Sequence, residues 1–228
     1  MRLRAHRRAS SAFALSALSA LLAAGAAQAQ LAITEVAPWS SGNSPVAADW
    51  FELTNFGSSA VDITGYRIDD ASNSFASSVA LVGITSIAAG ESVIFIEGAS
   101  ANANFVSTWF GASAPAGLQI GRYSGAGIGL GTGGDAVNLY TSTGTLVTRV
   151  DFGTSPSAAP FASFDNSAGL SGVTLTVLSA IGVNGAFLTA SGNEIGSPAS
   201  VVPEPGTWAM LLAGAGIVAG AVRRRRAA

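Results

Sequence analysis

The chain has no cysteine and no lysine, and its one histidine, His6, sits near the start. Without cysteine there is neither a disulfide framework nor a thiolate metal site. From residue 31 onward histidine is missing as well. Together these absences exclude a Ser-His-Asp triad, a cysteine nucleophile, a lysine Schiff base and a His/Cys zinc site. Carboxylate chemistry is what remains: two acids hydrolysing a glycosidic bond, or oxygen ligands holding a cation such as calcium.

Positive charge is also scarce in the body. All eleven basic residues are arginines, with Arg2, Arg4, Arg7 and Arg8 at the start and Arg223, Arg224, Arg225 and Arg226 at the end. Residues 31–202 hold only Arg67, Arg122 and Arg149 against twelve acids. Non-specific affinity for a phosphate backbone comes from Lys and Arg, so no nucleic-acid partner is expected.

The basic ends belong to two targeting patterns. MRLRAHRR is a positive n-region, Ala12 to Ala24 an apolar run, and Ala27-Gln28-Ala29 a small-x-small cleavage pattern. This predicts a secretory signal peptide over residues 1–29, cut between Ala29 and Gln30 and excluded from the fold. At the other end, Thr207 to Val222 is free of charge and is followed by the four arginines. As a helix it is about 24 Å long, short of a ~30 Å hydrocarbon core, but snorkelling arginine stems and local bilayer thinning make spanning possible. Trp208 is placed as an interfacial aromatic, and Arg223 to Arg226 as a cytoplasmic stop signal. Both ends predict the body on the extracytoplasmic side of one membrane.

Between them, short β-rich runs (LAITEV, DWFELTN, AVDITGYRI, ESVIFIEG, DAVNLYT, TLVTRVDF) alternate with turn formers such as NFGSSA, AAGE and STGT. Such spacing predicts an all-β sandwich or barrel. In the fourth run Val93 and Phe95 share one face and Ile94 and Ile96 the other, which marks an interior strand. One segment differs: Phe105 and Trp109 stand at i and i+4 within 99–111, predicting a short amphipathic helix. Residues 153–202 turn Ser/Ala/Gly-rich, with VTLTVL and GAFLTA as late strands, and 196–205 reads as a linker. Gly65, Gly90 and Gly144 fall where turns need positive φ.

The acids offer three readings. Asp49 with Glu52 is the candidate pair for glycoside hydrolysis. Asp69-Asp70, opening the loop DDASNS, is the candidate for weak calcium binding, although the D-x-D-x-D-G spacing of an EF-hand is missing. Glu35 and Glu52 lie in early strands, where they suit acceptors of backbone N–H bonds from a neighbouring loop. Gly129, Gly131 and Gly134 fit G-x-G-x-x-G but lead into a strand with no βαβ unit around them, so the dinucleotide reading fails. No cofactor is expected.

Two resemblances follow from motif order. Val202-Pro203-Glu204-Pro205-Gly206, an apolar helix and a terminal arginine cluster together resemble the PEP-CTERM sorting signal. The resemblance implies a Gram-negative envelope protein whose tail is recognised by an exosortase and cleaved near Pro203, Glu204 and Pro205. ITEV (33–36), DWFELTN (49–55), VDITGYRIDD (61–70), IAAGESVIF (87–95), GLGTGGDAVNLY (129–140) and TGTLVTRVDF (143–152) resemble the lamin tail domain. That implies an immunoglobulin-like β-sandwich; GSPAS at 196–200 resembles a degenerate form of the family's ending, and 96–128 matches poorly, as an insertion would. The expected organisation is a signal peptide (1–29), a lamin-tail-like sandwich (30–199) and a sorting signal (200–228). The role these resemblances imply is non-enzymatic: adhesion or interaction within exopolysaccharide or with surface proteins, after transient anchoring in the inner membrane. A carboxylate-dependent glycosidase and a calcium-dependent carbohydrate-binding module are the alternatives.

Overall fold

A computed structural model describes residues 31–39, 46–98 and 101–200. The signal-peptide residues, including Ala29 and Gln30, lie outside the described residues. So do Pro203, Glu204, Pro205, Trp208 and Arg223 to Arg226. Among the described residues no helix is long and apolar enough to cross a membrane.

Before its helix the chain forms β1 (Leu31–Ala37), β2 (Trp50–Asn55), β3 (Val61–Asp62), β4 (Arg67–Asp69), β5 (Val79–Ala80), β6 (Ser86–Ile87) and β7 (Ser92–Glu97). The helix is α1 (Ala101–Phe110). After it come β8 (Ile120–Tyr123), β9 (Asp135–Tyr140), β10 (Leu146–Phe152), β11 (Phe161–Ala162) and β12 (Phe164–Asp165). Then follow β13 (Val173–Leu175), β14 (Phe187–Leu188) and β15 (Glu194–Gly196).

Two five-stranded sheets make the sandwich, in the orders β12-β1-β2-β7-β8 and β13-β10-β9-β4-β5. Their inner faces interlock as one apolar core. The first sheet contributes Ile33, Val36, Phe51, Leu53, Val93 and Phe95, and the second contributes Ile68, Val137, Leu139, Val150 and Phe152. Burying each such side chain contributes roughly 1.5–3 kcal/mol. Alternate residues of the second sheet face outward and are polar: Arg149 pairs with Asp151, and its Nη1 donates to Asn138 Oδ1 at 2.8 Å.

The outer face of the first sheet is buried too, as the double-sided apolar pattern of 92–97 predicts. Trp50, Ile94 and Ile96 pack against Trp39, Phe105 and Trp109. Trp39 stacks on Trp109 with centroids 6.3 Å apart, Trp50 meets Trp109 edge-on at 5.4 Å, and Phe187 of β14 closes the group at 5.7 Å. The predicted helix is α1, and Phe105 and Trp109 are its buried face. It ends at Gly111, whose φ of 59° suits the residue that follows a helix.

The weakly matching segment 96–128 is not a detachable insertion. It ends in β8, which pairs parallel to β7. Parallel neighbours need a crossover of a dozen or more residues, usually helical, and α1 supplies it. Residues 196–200 also differ from the linker reading. Gly196 closes β15 within a three-stranded sheet, β11-β15-β14, and Ser197 and Pro198 are buried.

Candidate functional site

β1 and β2 pair antiparallel, with Ile33 opposite Leu53 and then Glu35 opposite Glu52; the register shifts between them. Thr34 is therefore the extra residue of a β-bulge, a device that re-aims side chains. It brings Thr34, Glu35 and Glu52 together on the face away from the core. There the aromatic covering layer gives way to a polar one.

Both carboxylates are fully enclosed, Glu35 at 0% and Glu52 at 2% exposure. Each is held by the strap 196–200, which leaves β15 at Gly196 and turns at 198–199, where the Ser200 N–H donates to the Ser197 carbonyl at 2.9 Å. Glu35 Oε1 accepts the Ser197 N–H at 2.9 Å and the Ser163 hydroxyl, while Oε2 accepts Ser197 Oγ at 3.1 Å. Glu52 Oε2 accepts the Ala199 N–H at 2.7 Å, and Oε1 accepts Thr34 Oγ1 at 2.6 Å. Hydroxyls continue the network: Thr34 to Thr54 at 2.9 Å, Thr54 to Ser92 at 2.7 Å, and Ser163 to Ser179 at 2.8 Å. The sequence expectation that these acids accept backbone N–H bonds matches this geometry. The donors, Ser197 and Ala199, lie more than 140 residues away, and local pattern carries no sign of them.

Gly196 makes the approach possible. A Cβ there would lie 2.7 Å from a Trp109 ring carbon and 3.0 Å from Ser163 Oγ, and closer still to Glu35 Oε1. Ala199 has a φ of 63°, which carries its N–H to Glu52. Left-handed backbone is costly for a residue with a Cβ, and such strain persists only where surrounding contacts impose it.

Burial raises the Glu35 carboxyl from its ordinary 4.5 to about 7, against the lowering effect of the Ser163 and Ser197 hydrogen bonds. Burial, and then the charge of Glu35, raises Glu52 to about 8. Since the folded values lie above the unfolded one, folding takes up protons between them. This stabilisation is complete below about 4.5 and is lost as pH rises through about 7 and 8. Each pH unit over which one proton is released costs about 1.4 kcal/mol. The thermal midpoint of the wild type is expected to fall between pH 5 and 9 relative to the Glu35→Gln/Glu52→Gln variant. Parallel curves for the two proteins would contradict the assignment.

The remaining candidate acids are committed to local structure. Asp49 is buried and its Oδ2 accepts the Leu130 N–H at 2.7 Å. Asp69, also buried, accepts the Ser74 N–H at 2.6 Å and the hydroxyls of Ser72 and Ser77. Those donors close the DDASNS loop around the carboxylate that the calcium reading nominates. Asp70 Oδ1 accepts the Ser72 N–H at 3.0 Å. Among the described residues no three or more acids are arranged to hold a metal ion. The stretch with Gly129, Gly131 and Gly134 is a loop before β9, where Asp135 Oδ2 accepts the Gly131 N–H at 2.8 Å.

Among the described residues, open clefts lie elsewhere. One, of about 330 Å³, is bordered by Asp165, Asn166, Leu170, Val173 and Asn184. Another, of about 290 Å³, is bordered by Val82, Gly98, Arg122 and Tyr123. Neither is lined by Asp49, Glu52, Asp69 or Asp70, so the structure does not bring the sequence-nominated acids to these openings.

The family model described as Lamin Tail Domain matches residues 24–154, more than half of the chain. The chain belongs to the lamin tail domain family. A second model, the PEP-CTERM protein-sorting motif, matches residues 201–226. No curated protein and no solved structure matches the chain. The lamin tail match stops just after β10, so the strap and the strands that carry it to Glu35 and Glu52 lie beyond the matched region. The strap in turn ends at Ser200, where the sorting motif begins.

Proposed function

We propose that this lamin tail protein is an exported, non-enzymatic component of a Gram-negative cell surface or extracellular matrix. A signal peptide ending at Ala29 delivers it, and the C-terminal helix holds it in the inner membrane with the sandwich outside. An exosortase then recognises Pro203, Glu204 and Pro205 and removes the tail. The sandwich acts in adhesion or interaction within exopolysaccharide. The observation that carries this reading is the sorting motif at 201–226, placed directly after the folded domain. The non-enzymatic part is supported by the candidate acids, whose oxygens accept hydrogen bonds from the protein's own hydroxyls and amides.

The test uses surface protease treatment of intact host cells producing the full chain. The wild type is expected to be accessible at the cell surface. The Pro203→Ala/Glu204→Ala/Pro205→Ala variant is expected to stay with the inner membrane, its tail uncleaved. Equal surface display of the two would overturn the sorting reading. Hydrolysis of the host's exopolysaccharide by purified wild type, abolished in Asp49→Asn, would overturn the non-enzymatic one.

A further inference from the structure

The strap lies against the lamin tail sheet and leads straight into the sorting motif. Between Ser200, the last described residue, and Pro203 the chain spans at most about 10 Å, at ~3.5 Å per residue. If the turn 197–200 lifted off the two carboxylates, the free chain would begin at Gly196 and span about 25 Å. We propose that Glu35, Glu52 and residues 197–200 form a releasable latch that sets how much free chain separates the folded domain from the sorting motif. This rests on the reading of 201–226 as a sorting signal.

The contacts are those of a latch. The strap is held by the Ser197 and Ala199 N–H groups on the two carboxylates and by the Ser197 hydroxyl. Beyond these, Pro198 is buried and the Ser200 side chain packs on Gly185. The hydrogen bonds of Ser200 to the domain are long: its carbonyl accepts Ser92 Oγ at 3.5 Å, and its hydroxyl donates to the Gly185 carbonyl at 3.4 Å. No hydrophobic residue lies between Gly196 and Ser200 except Pro198 and the small Ala199. Polar contacts shielded from water are strong while closed. Once opened, water replaces them at little cost.

The charges around the pair give the latch a direction. From β1 and β2 it is faced by the hydroxyls of Thr34 and Thr54, from the β11–β12 junction by Ser163, and from the strap by Ser197. Asp165 on β12 also acts on Glu35, and its charge disfavours ionisation. Glu194, before the strap, has its Oε2 at the 189–191 loop, where it accepts Ser191 Oγ at 3.4 Å. The charges of Asp165, acting on Glu35, and of Glu35, acting on Glu52, are negative. Opening the strap hydrates both carboxylates and lets them ionise, so the latch is closed in acid and opens as pH rises.

Glutamine suits both positions. At 52 its oxygen accepts the Ala199 N–H and its NH₂ donates to Thr34 Oγ1; at 35 the NH₂ donates to Ser197 Oγ. Glu35→Gln/Glu52→Gln therefore mimics the protonated pair and should stay latched.

Amide hydrogen exchange on the full chain in detergent micelles, corrected for the intrinsic rate at each pH, tests the latch. In the wild type the Ser197 and Ala199 amides are expected to be protected at pH 5. Their protection should then fall by up to about tenfold per pH unit for each proton released. In the double glutamine variant it should stay nearly constant, with β2 and β7 amides protected equally in both proteins. Unprotected strap amides at pH 5, or the same pH profile in both proteins, overturns the latch. In pulse-chase labelling of host cells, tail removal should be several-fold slower in the double variant; equal rates overturn its role in processing. Failure of the wild type to lose its tail at all would instead defeat the sorting reading, and the exchange result would be unaffected by it.

Discussion

Gly196→Val is expected to lower the stability of the domain by about 2–6 kcal/mol. The Cβ alone would stand within 2.7 Å of Trp109 and closer to Glu35 Oε1. Neither neighbour can yield cheaply. Trp109 is wedged among Trp39, Trp50, Phe105 and Phe187. The Glu35 carboxylate is fixed by Ser163 and Ser197. Overpacking of this kind costs roughly 1–3 kcal/mol. Leaving a buried carboxylate short of its donors adds roughly 1–3 kcal/mol. For a domain of this size the thermal midpoint should fall by about 5–15 °C. Thermal melts of wild type and variant check this, and a shift under 2 °C would mean that the strap is not seated as described.

Trp109→Ala is expected to cost about 3–5 kcal/mol, the range for truncating a large buried aromatic. The indole is 1% exposed and joins pieces of chain that are distant in sequence: α1 carries it, Trp39 just after β1 stacks on it, Trp50 of β2 meets it edge-on, and Phe187 caps it from β14. Its loss therefore loosens the whole outer layer and leaves the inter-sheet core in place. Two readouts separate these. Near-UV circular dichroism should lose most of its tryptophan signal, and proteolysis should begin within α1 while fragments containing β9 and β10 persist. Uniform proteolysis along the chain would indicate that the outer layer and the sandwich unfold as one unit.

The contrast between the two layers explains how far the sequence could be read. Strands of the sandwich announce themselves by alternation: Val93 and Phe95 against Ile94 and Ile96, or Trp50 and Glu52 against Phe51 and Leu53. These are local patterns, and β1, β2, β7, β9 and β10 lie where they place them. The run AVDITGYRI, in contrast, is split by a turn at 64–65 into β3 and β4, which belong to different sheets. The i, i+4 pair Phe105 and Trp109 located α1 for the same reason. The strap defeated this kind of reading. Its residues are small and polar, and what holds them is a pair of acids over 140 positions earlier. The bulge at Thr34, which places Glu35 opposite Glu52, shows only in the pairing of β1 with β2. GSPAS, which resembles a family ending, lies outside the matched residues 24–154. The acids nominated for chemistry misled in an instructive way. Asp49 and Asp69 are conspicuous in sequence because they are rare charges in an apolar chain, and they are rare because burial demands the donors that surround them.

The central claim is that two terminal signals deliver the sandwich to the cell surface and are then removed. Intact mass of the protein isolated from the native envelope tests it most directly. The account predicts a chain that begins at Gln30 and ends near Pro205. A surface-exposed species that still carries residues 207–228 would contradict it.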